Sequence, residues 1–390
     1  MNNNYRKTLI NGQYAYIRLA ILEKLEKIGA IIFDCDGVLI DVRRSYNYTI
    51  VKTIDYFLYN LIGINLPSDD ILNKTIYLYK RSGGFNNDWD IVYSILLTLS
   101  PMLPRIFQKK FIELVNSKEF TKRTLHNRFN YIKSAFETMK PFSLNIKWSK
   151  IIDNLTVFAE KADAMGINTI DNELILKSES DNPSICVAMK SFLCYPGNVK
   201  KSLISRVFDE IFYGPTLFHK QHKVRPEYYI GTGLVEMEQK IITLKTLTDL
   251  SKIIGTNNFG IVSGRDFLSA NHTLGKILNE YTEEALFFLQ DFKTDTFEKF
   301  KKPSPLLLLK SAYSLNPFKY AVYVGDSIED ILMVEKANKI DPRFISMGLY
   351  LTSDFKEEFI SHLLEMKTDI ILPSVNDISN LLSMIKEEKK

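Results

Sequence analysis

Six short β-rich runs lie at 30–34, 259–263, 285–289, 321–325, 343–347 and 369–372; all but 285–289 end at or beside an Asp, Ser or Gly or open on one, and only the first lies before residue 250. Each run is bounded by helical periodicity, and strands that alternate with helices predict a mainly parallel sheet covered on both faces. Between about Tyr46 and Lys240 the apolar spacing is mostly helical, as at 50–62, 88–99, 104–115 and 201–212. A block of roughly 200 residues therefore interrupts an α/β domain just after its first strand. The reading divides the chain into an N-terminal extension (1–28), a discontinuous Rossmann-like core (29–44 and 241–390) and a large, mainly helical insertion (45–240). The extension is predicted to end in a helix over 15–28, stopped by Gly29. The stretch 143–196, with its Asn-rich turns, predicts loops and a short strand.

Composition narrows the partners. Lys plus Arg minus Asp plus Glu is 50 − 46 = +4 over 390 residues, too balanced to drive binding of a phosphate polymer, so no nucleic-acid partner is expected. Hydrophobic residues at 45% and charged residues at 25% describe an ordinary folded chain. The 12% aromatic share implies buried area. Cys35, Cys186 and Cys194 are too few for a disulfide framework and lack zinc-site spacing, which points to a reducing, cytoplasmic setting. No apolar run approaches the ~20 residues of a membrane span, and residues 1–10 carry no signal-peptide core, so no membrane partner is expected.

The chemistry-bearing residues follow the strands. The first run closes in Asp34-Cys35-Asp36-Gly37, the second in Ser263-Gly264-Arg265, and the fourth in Gly325-Asp326-Ser327-Ile328-Glu329-Asp330; Lys301-Lys302-Pro303 follows the third. An Asp-x-Asp triplet alone carries little weight. In a parallel sheet, however, the strand ends converge on one edge, where open α/β sheets place their ligands.

These residues, in this order, resemble the four motifs of the haloacid dehalogenase superfamily of phosphohydrolases. The insertion after the first motif resembles the C1 cap of its subfamily I. The phrases 83–90 and 231–236 resemble an archaeal phosphatase branch of that subfamily. The resemblance implies a phosphatase acting on a small phosphorylated metabolite, with Mg²⁺ held by Asp34, Asp326 and the backbone carbonyl of Asp36. It implies Asp34 as the nucleophile that becomes an aspartyl-phosphate and Asp36 as the general acid/base. Ser263 and the Gly264 amide would bind the transferring phosphoryl group. A carboxylate and a phosphate dianion ~4 Å apart at an effective dielectric of ~20 repel by about 8 kcal/mol, so cations are needed. Mg²⁺ and one lysine supply them. Lys301 and Lys302 compete for that role, and the family's Lys-Pro pattern favours Lys302.

Asp330, one helical turn beyond Asp326, is expected to orient Lys302 or metal waters. Arg265 is read either as a substrate phosphate clamp or as a surface salt-bridge partner. In the insertion, Asn86 and Asn87 are candidates for substrate contact, and Asp88 for the N-cap of the helix that follows. His219 and His222 are expected on a solvated helix end or loop, and Cys35 as a packed residue with no redox role. Two other readings keep the same motifs: a phosphomutase that returns the phosphoryl group to a sugar phosphate, and a non-catalytic protein that binds phosphorylated ligands.

Overall fold

The computed structural model describes residues 4–85, 87–138, 147–176, 183–289, 292, 299–315 and 317–387. The chain forms two compact units, one of Met1–Arg43 with Met237–Lys390 and the other of Arg44–Glu236. The first unit carries strands β1 (Tyr5–Ile10), β2 (Gln13–Arg18), β3 (Ile28–Phe33), β4 (Ile40–Asp41), β5 (Gln239–Lys240), β6 (Phe259–Ser263), β7 (Leu286–Phe288), β8 (Tyr320–Gly325), β9 (Phe344–Leu349) and β10 (Ile370–Leu372). Eight of them make one sheet in the order β1-β2-β10-β9-β8-β3-β6-β7, parallel from β10 to β7. This is the expected α/β, Rossmann-like class.

The strands read as continuous apolar runs because both faces are covered. Along β3, Ile31 and Phe33 enter one core while Ala30 and Ile32 enter another; Val322 and Val324 of β8 divide from Ala321 and Tyr323 in the same way. After β3 the chain adds β6 and β7 on one side, then crosses to place β8 on the other. The strand order thus reverses at β3, and the crevice at such a reversal is where open sheets bind ligands. β4 and β5 pair separately, joining the segment that leaves this unit to the one that re-enters it.

The N-terminal segment corrects the expectation of a helix over 15–28. Residues 5–18 form an antiparallel hairpin whose second strand pairs with β10, and only Leu22–Leu25 is α-helical there. The turn is Asn11-Gly12, both at positive φ (51° and 77°), a strong hairpin signal between alternating residues. Ala15 and Ile17 point inward while Tyr14 is exposed, a period of two rather than 3.6. Ile17 is fully buried in the main core, so Ile17→Ala is expected to cost about 2–5 kcal/mol in urea unfolding. A loss below ~0.5 kcal/mol would show the hairpin to be peripheral.

The second unit is helical, with Tyr48–Ile62, Asp88–Leu99, Arg105–Val115, Leu125–Glu137 and Leu203–His222 among its longer helices. Much of the chain's phenylalanine packs in its core, including Phe57, Phe107, Phe111, Phe129, Phe136 and Phe192. The short strand expected within 143–196 does not form among the described residues; Trp148–Ala159 and Pro183–Leu193 are helices. Their buried residues explain why: Leu155 and Ala159, like Ile185 and Met189, are four apart and share one helix face.

Among the described residues no single helix is long and apolar enough to cross a membrane. The bent pair Asp88–Met102 and Arg105–Val115 is apolar because it lines this core.

Candidate active site

Asp34 follows the last residue of β3, and its amide donates to the Val324 carbonyl of β8 at 2.8 Å, so the strand pairing positions the carboxylate. The Cys35 amide donates to Asp34 Oδ1 at 2.7 Å. The chain then turns sharply: the Leu39 and Ile40 amides reach the Cys35 carbonyl, and the Gly37 amide reaches the Ile40 carbonyl. Gly37 sits at φ +70°, and a Cβ there would lie 1.7 Å from Asp326 Oδ2. Glycine is required twice over, for the backbone and for the approach of the second aspartate.

At the end of β8, Ser327 and Asp330 form a reciprocal capping box on the helix Ile328–Asn338. Asp330 is fully buried. Its Oδ2 accepts from the Asp326 amide (3.1 Å), the Ser327 amide (3.0 Å) and the Ser327 hydroxyl (2.7 Å). Its Oδ1 accepts from Lys302 Nζ (2.8 Å) and the Tyr323 hydroxyl (3.2 Å). With both oxygens taken by donors, Asp330 braces the Asp326 loop and aims Lys302. Lys302 Nζ lies 2.9 Å from Asp34 Oδ2, so of the two competing lysines it is Lys302 that reaches the site.

The electrostatics are set by burial and crowding. Burial, only partly offset by Lys302 and reinforced by Asp330 and Asp36, pushes Asp34 up to about 7. Burial first, then Asp330 and Asp34, hold Asp326 well above the ordinary carboxylate range. For Lys302, burial opposes the charge, but Asp330 and Asp34 outweigh it and keep the ammonium well above its usual range. One oxygen each of Asp34, Asp326 and Asp330 lies within 4.8 Å of the others. Since Asp330 is committed to internal donors, Asp34 and Asp326 are the carboxylates that could hold a cation. Two hard oxygen ligands, one buried and one partly buried, whose ionised forms are disfavoured by burial and by neighbouring carboxylates, suit a small divalent ion such as Mg²⁺.

Ser263, at the end of β6, is buried and accepts from the Arg265 amide at 3.4 Å. Gly264 is exposed, with open space where a Cβ would stand. Arg265 corrects both sequence readings. Its side chain is wholly buried, with Nη1 on Asp36 Oδ1 at 2.7 Å, Nη2 on both oxygens of Glu238 at 2.8 Å and Nε on the Ser269 hydroxyl at 2.9 Å. A guanidinium so placed is neither a surface ion pair nor open to a substrate phosphate.

In the helical unit, Asn87 rather than Asp88 is the N-cap, its side chain accepting from the Trp89 amide at 3.0 Å. Asp88 lies in the first turn and pairs with Lys80. Asn86 lies outside the described residues. His222 is largely buried, 2.7 Å from Asp209 and packed on Tyr213 and Phe218, while His219 bonds the Val224 carbonyl. The two histidines therefore have separate partners, and His222 is not solvated as expected. Cys35 is a buried free thiol, pushed well above its ordinary pKa by burial.

Sequence reasoning missed Glu238, Thr273 and Tyr323. Tyr323 reads as an ordinary strand aromatic; its hydroxyl at the sheet's ligand edge is the only hint. Glu238 lies just past the 231–236 phrase and in none of the four motifs, and its partner Arg265 lies 27 residues away.

No family model matches the chain, and no curated protein matches it. The chain is similar to an X-ray structure of Northeast Structural Genomics Consortium target ZR25, at 16% identity and a TM-score of 0.53, over 92% of this chain and 100% of that one. At that identity the likeness is one of fold. It is also similar to phosphatase Tt82 from Thermococcus thioreducens, at 19% identity and a TM-score of 0.43, over 86% of this chain and 98% of that one.

Proposed function

We propose that the protein is a Mg²⁺-dependent phosphatase of haloacid dehalogenase type that hydrolyses a small phosphomonoester through an aspartyl-phosphate on Asp34. The observation that carries this reading is Asp34 at the end of β3 with Lys302 Nζ 2.9 Å from its Oδ2, the Asp326 carboxylate against Gly37, and Asp36 two residues on. Asp34 and Asp326, with the Asp36 carbonyl, would hold Mg²⁺, which when bound supplies positive charge against the phosphate and the carboxylates. Every other role falls to the chain itself.

Asp34 forms a bond to phosphorus as the bond to the leaving oxygen breaks, and Asp36 gives its proton to that oxygen. A water then attacks phosphorus, Asp36 takes its proton, and the Asp34–phosphorus bond breaks to release inorganic phosphate. Lys302, aimed by Asp330, offsets the charge on the nucleophile and the transferring oxygens without reorganising during reaction. Ser263 and the Gly264 amide donate to those oxygens.

The test is phosphate release from a panel of small phosphomonoesters in Mg²⁺ buffer. Release from at least one, lost on chelation and restored by Mg²⁺, is expected. Isomerisation of a sugar phosphate without net release would indicate a mutase instead. Binding without any turnover would indicate a phospholigand-binding protein, and either result overturns the hydrolase reading.

A further inference from the structure

We infer that Arg265, locked in place by Glu238, is a positioning residue that holds Asp36 in the geometry for proton transfer, an inference that rests on the hydrolase reading above. Asp36 lies on the turn after β3 with its side chain 31% exposed. A short carboxylate on an open turn samples several rotamers, yet Oδ1 of Asp36 is held at 2.7 Å by Arg265 Nη1. That leaves Oδ2 as the oxygen to carry the proton to the leaving group.

The guanidinium is in turn fixed from two directions. Both Glu238 oxygens lie 2.8 Å from Nη2, and the Ser269 hydroxyl accepts from Nε at 2.9 Å. Glu238 is anchored by the Thr273 hydroxyl at 2.5 Å, and Ser269 by Asp266 at 2.5 Å. Arg265 and Glu238 have no exposed side-chain surface, so neither can touch a substrate directly. Burying an ion pair is rarely the most stabilising way to fill a core; apolar residues of similar volume usually do as well or better. A planar fork that grips one carboxylate in order to aim at another is what arginine does and a greasy side chain cannot. Glu238 is the residue immediately after the chain returns to this unit at Met237, so the return segment itself sets the direction of Asp36.

The test compares kcat/KM, which reports the steps through leaving-group departure, for 4-nitrophenyl phosphate and an alkyl phosphate such as 2-glycerol phosphate. Nitrophenolate departs with little need of a proton, whereas an alkoxide depends on the acid. Arg265→Lys is expected to lower kcat/KM for the alkyl ester at least ~10-fold more than for the nitrophenyl ester. Thr273→Val, which keeps every ion paired, should shift the ratio the same way by a smaller factor. In an Asp36→Asn background the extra selectivity should vanish, because the effect is transmitted through Asp36.

Equal losses on both esters, or a selective loss that persists without Asp36, would overturn the inference and leave the hydrolase reading standing. A wild-type protein inactive on both esters and on the wider panel would overturn the reading itself, and the inference with it.

Discussion

Asp34→Asn is expected to abolish phosphate release, by on the order of 10⁴-fold or more, in a protein that stays folded. Removing a covalent nucleophile costs essentially the whole chemical step, because the remaining groups act only as a unit with it. The fold is spared for an electrostatic reason. Burial already disfavours the ionised Asp34, pushing its carboxyl up to about 7, so a neutral amide of the same shape relieves a desolvation cost. Against this, the amide satisfies only one of the two donors it meets, the Cys35 amide or Lys302. Lys302 keeps its bond to Asp330. The opposed terms leave stability within about 2 kcal/mol of the parent. Urea unfolding beside single-turnover phosphate release checks both halves, and undiminished turnover in the variant would remove Asp34 from the mechanism.

Gly325→Ala is expected to do the reverse, losing stability and activity together. Its backbone is not in the left-handed region, so the cost is purely steric: an added Cβ would stand 2.3 Å from Asp330 Cβ and 2.4 Å from its Cγ and Oδ2. Asp330 has nowhere to retreat, since its carboxylate accepts from Lys302, Tyr323, the Asp326 amide and both the amide and hydroxyl of Ser327. Displacing it uncaps the helix Ile328–Asn338 and leaves a buried lysine short of a partner. Disruption of such a buried charged network costs about 3–5 kcal/mol, a large part of the ~5–15 kcal/mol that holds a typical protein together. Gly264→Ala is the matched control for stability: the Cβ meets open space, and a change within about 0.5 kcal/mol is expected. If Gly325→Ala unfolded at the same denaturant concentration as Gly264→Ala, the bracing role of Asp330 would be refuted.

Much of the core was legible because its signals are local. Each parallel strand lies at or within two residues of its sequence-predicted position, since a strand buried on both faces must be a short apolar run. The helical block was equally plain where four-residue spacing was strong. Reading failed where two periods compete in a few residues, as at 13–18, where the Asn11-Gly12 turn outweighs the weak helical pattern. It failed again at 148–159 and 183–193, where Asn and Pro suggested loops but buried four-residue spacings made helices.

By itself the sequence determined that an α/β sheet is interrupted after its first strand and that carboxylates, a hydroxyl and a lysine follow the strand ends. Those facts depend only on spacing along the chain. The Lys-Pro pattern already favoured Lys302, but the tertiary structure alone decided that its ammonium meets Asp34, that Asp330 spends both oxygens on internal donors, and that Arg265 is buried between Asp36 and Glu238. The reason is physical: a charged side chain's role is set by the burial and partners it acquires. Asp36 and Arg265 stand 229 residues apart in sequence, and only the closed sheet makes them neighbours.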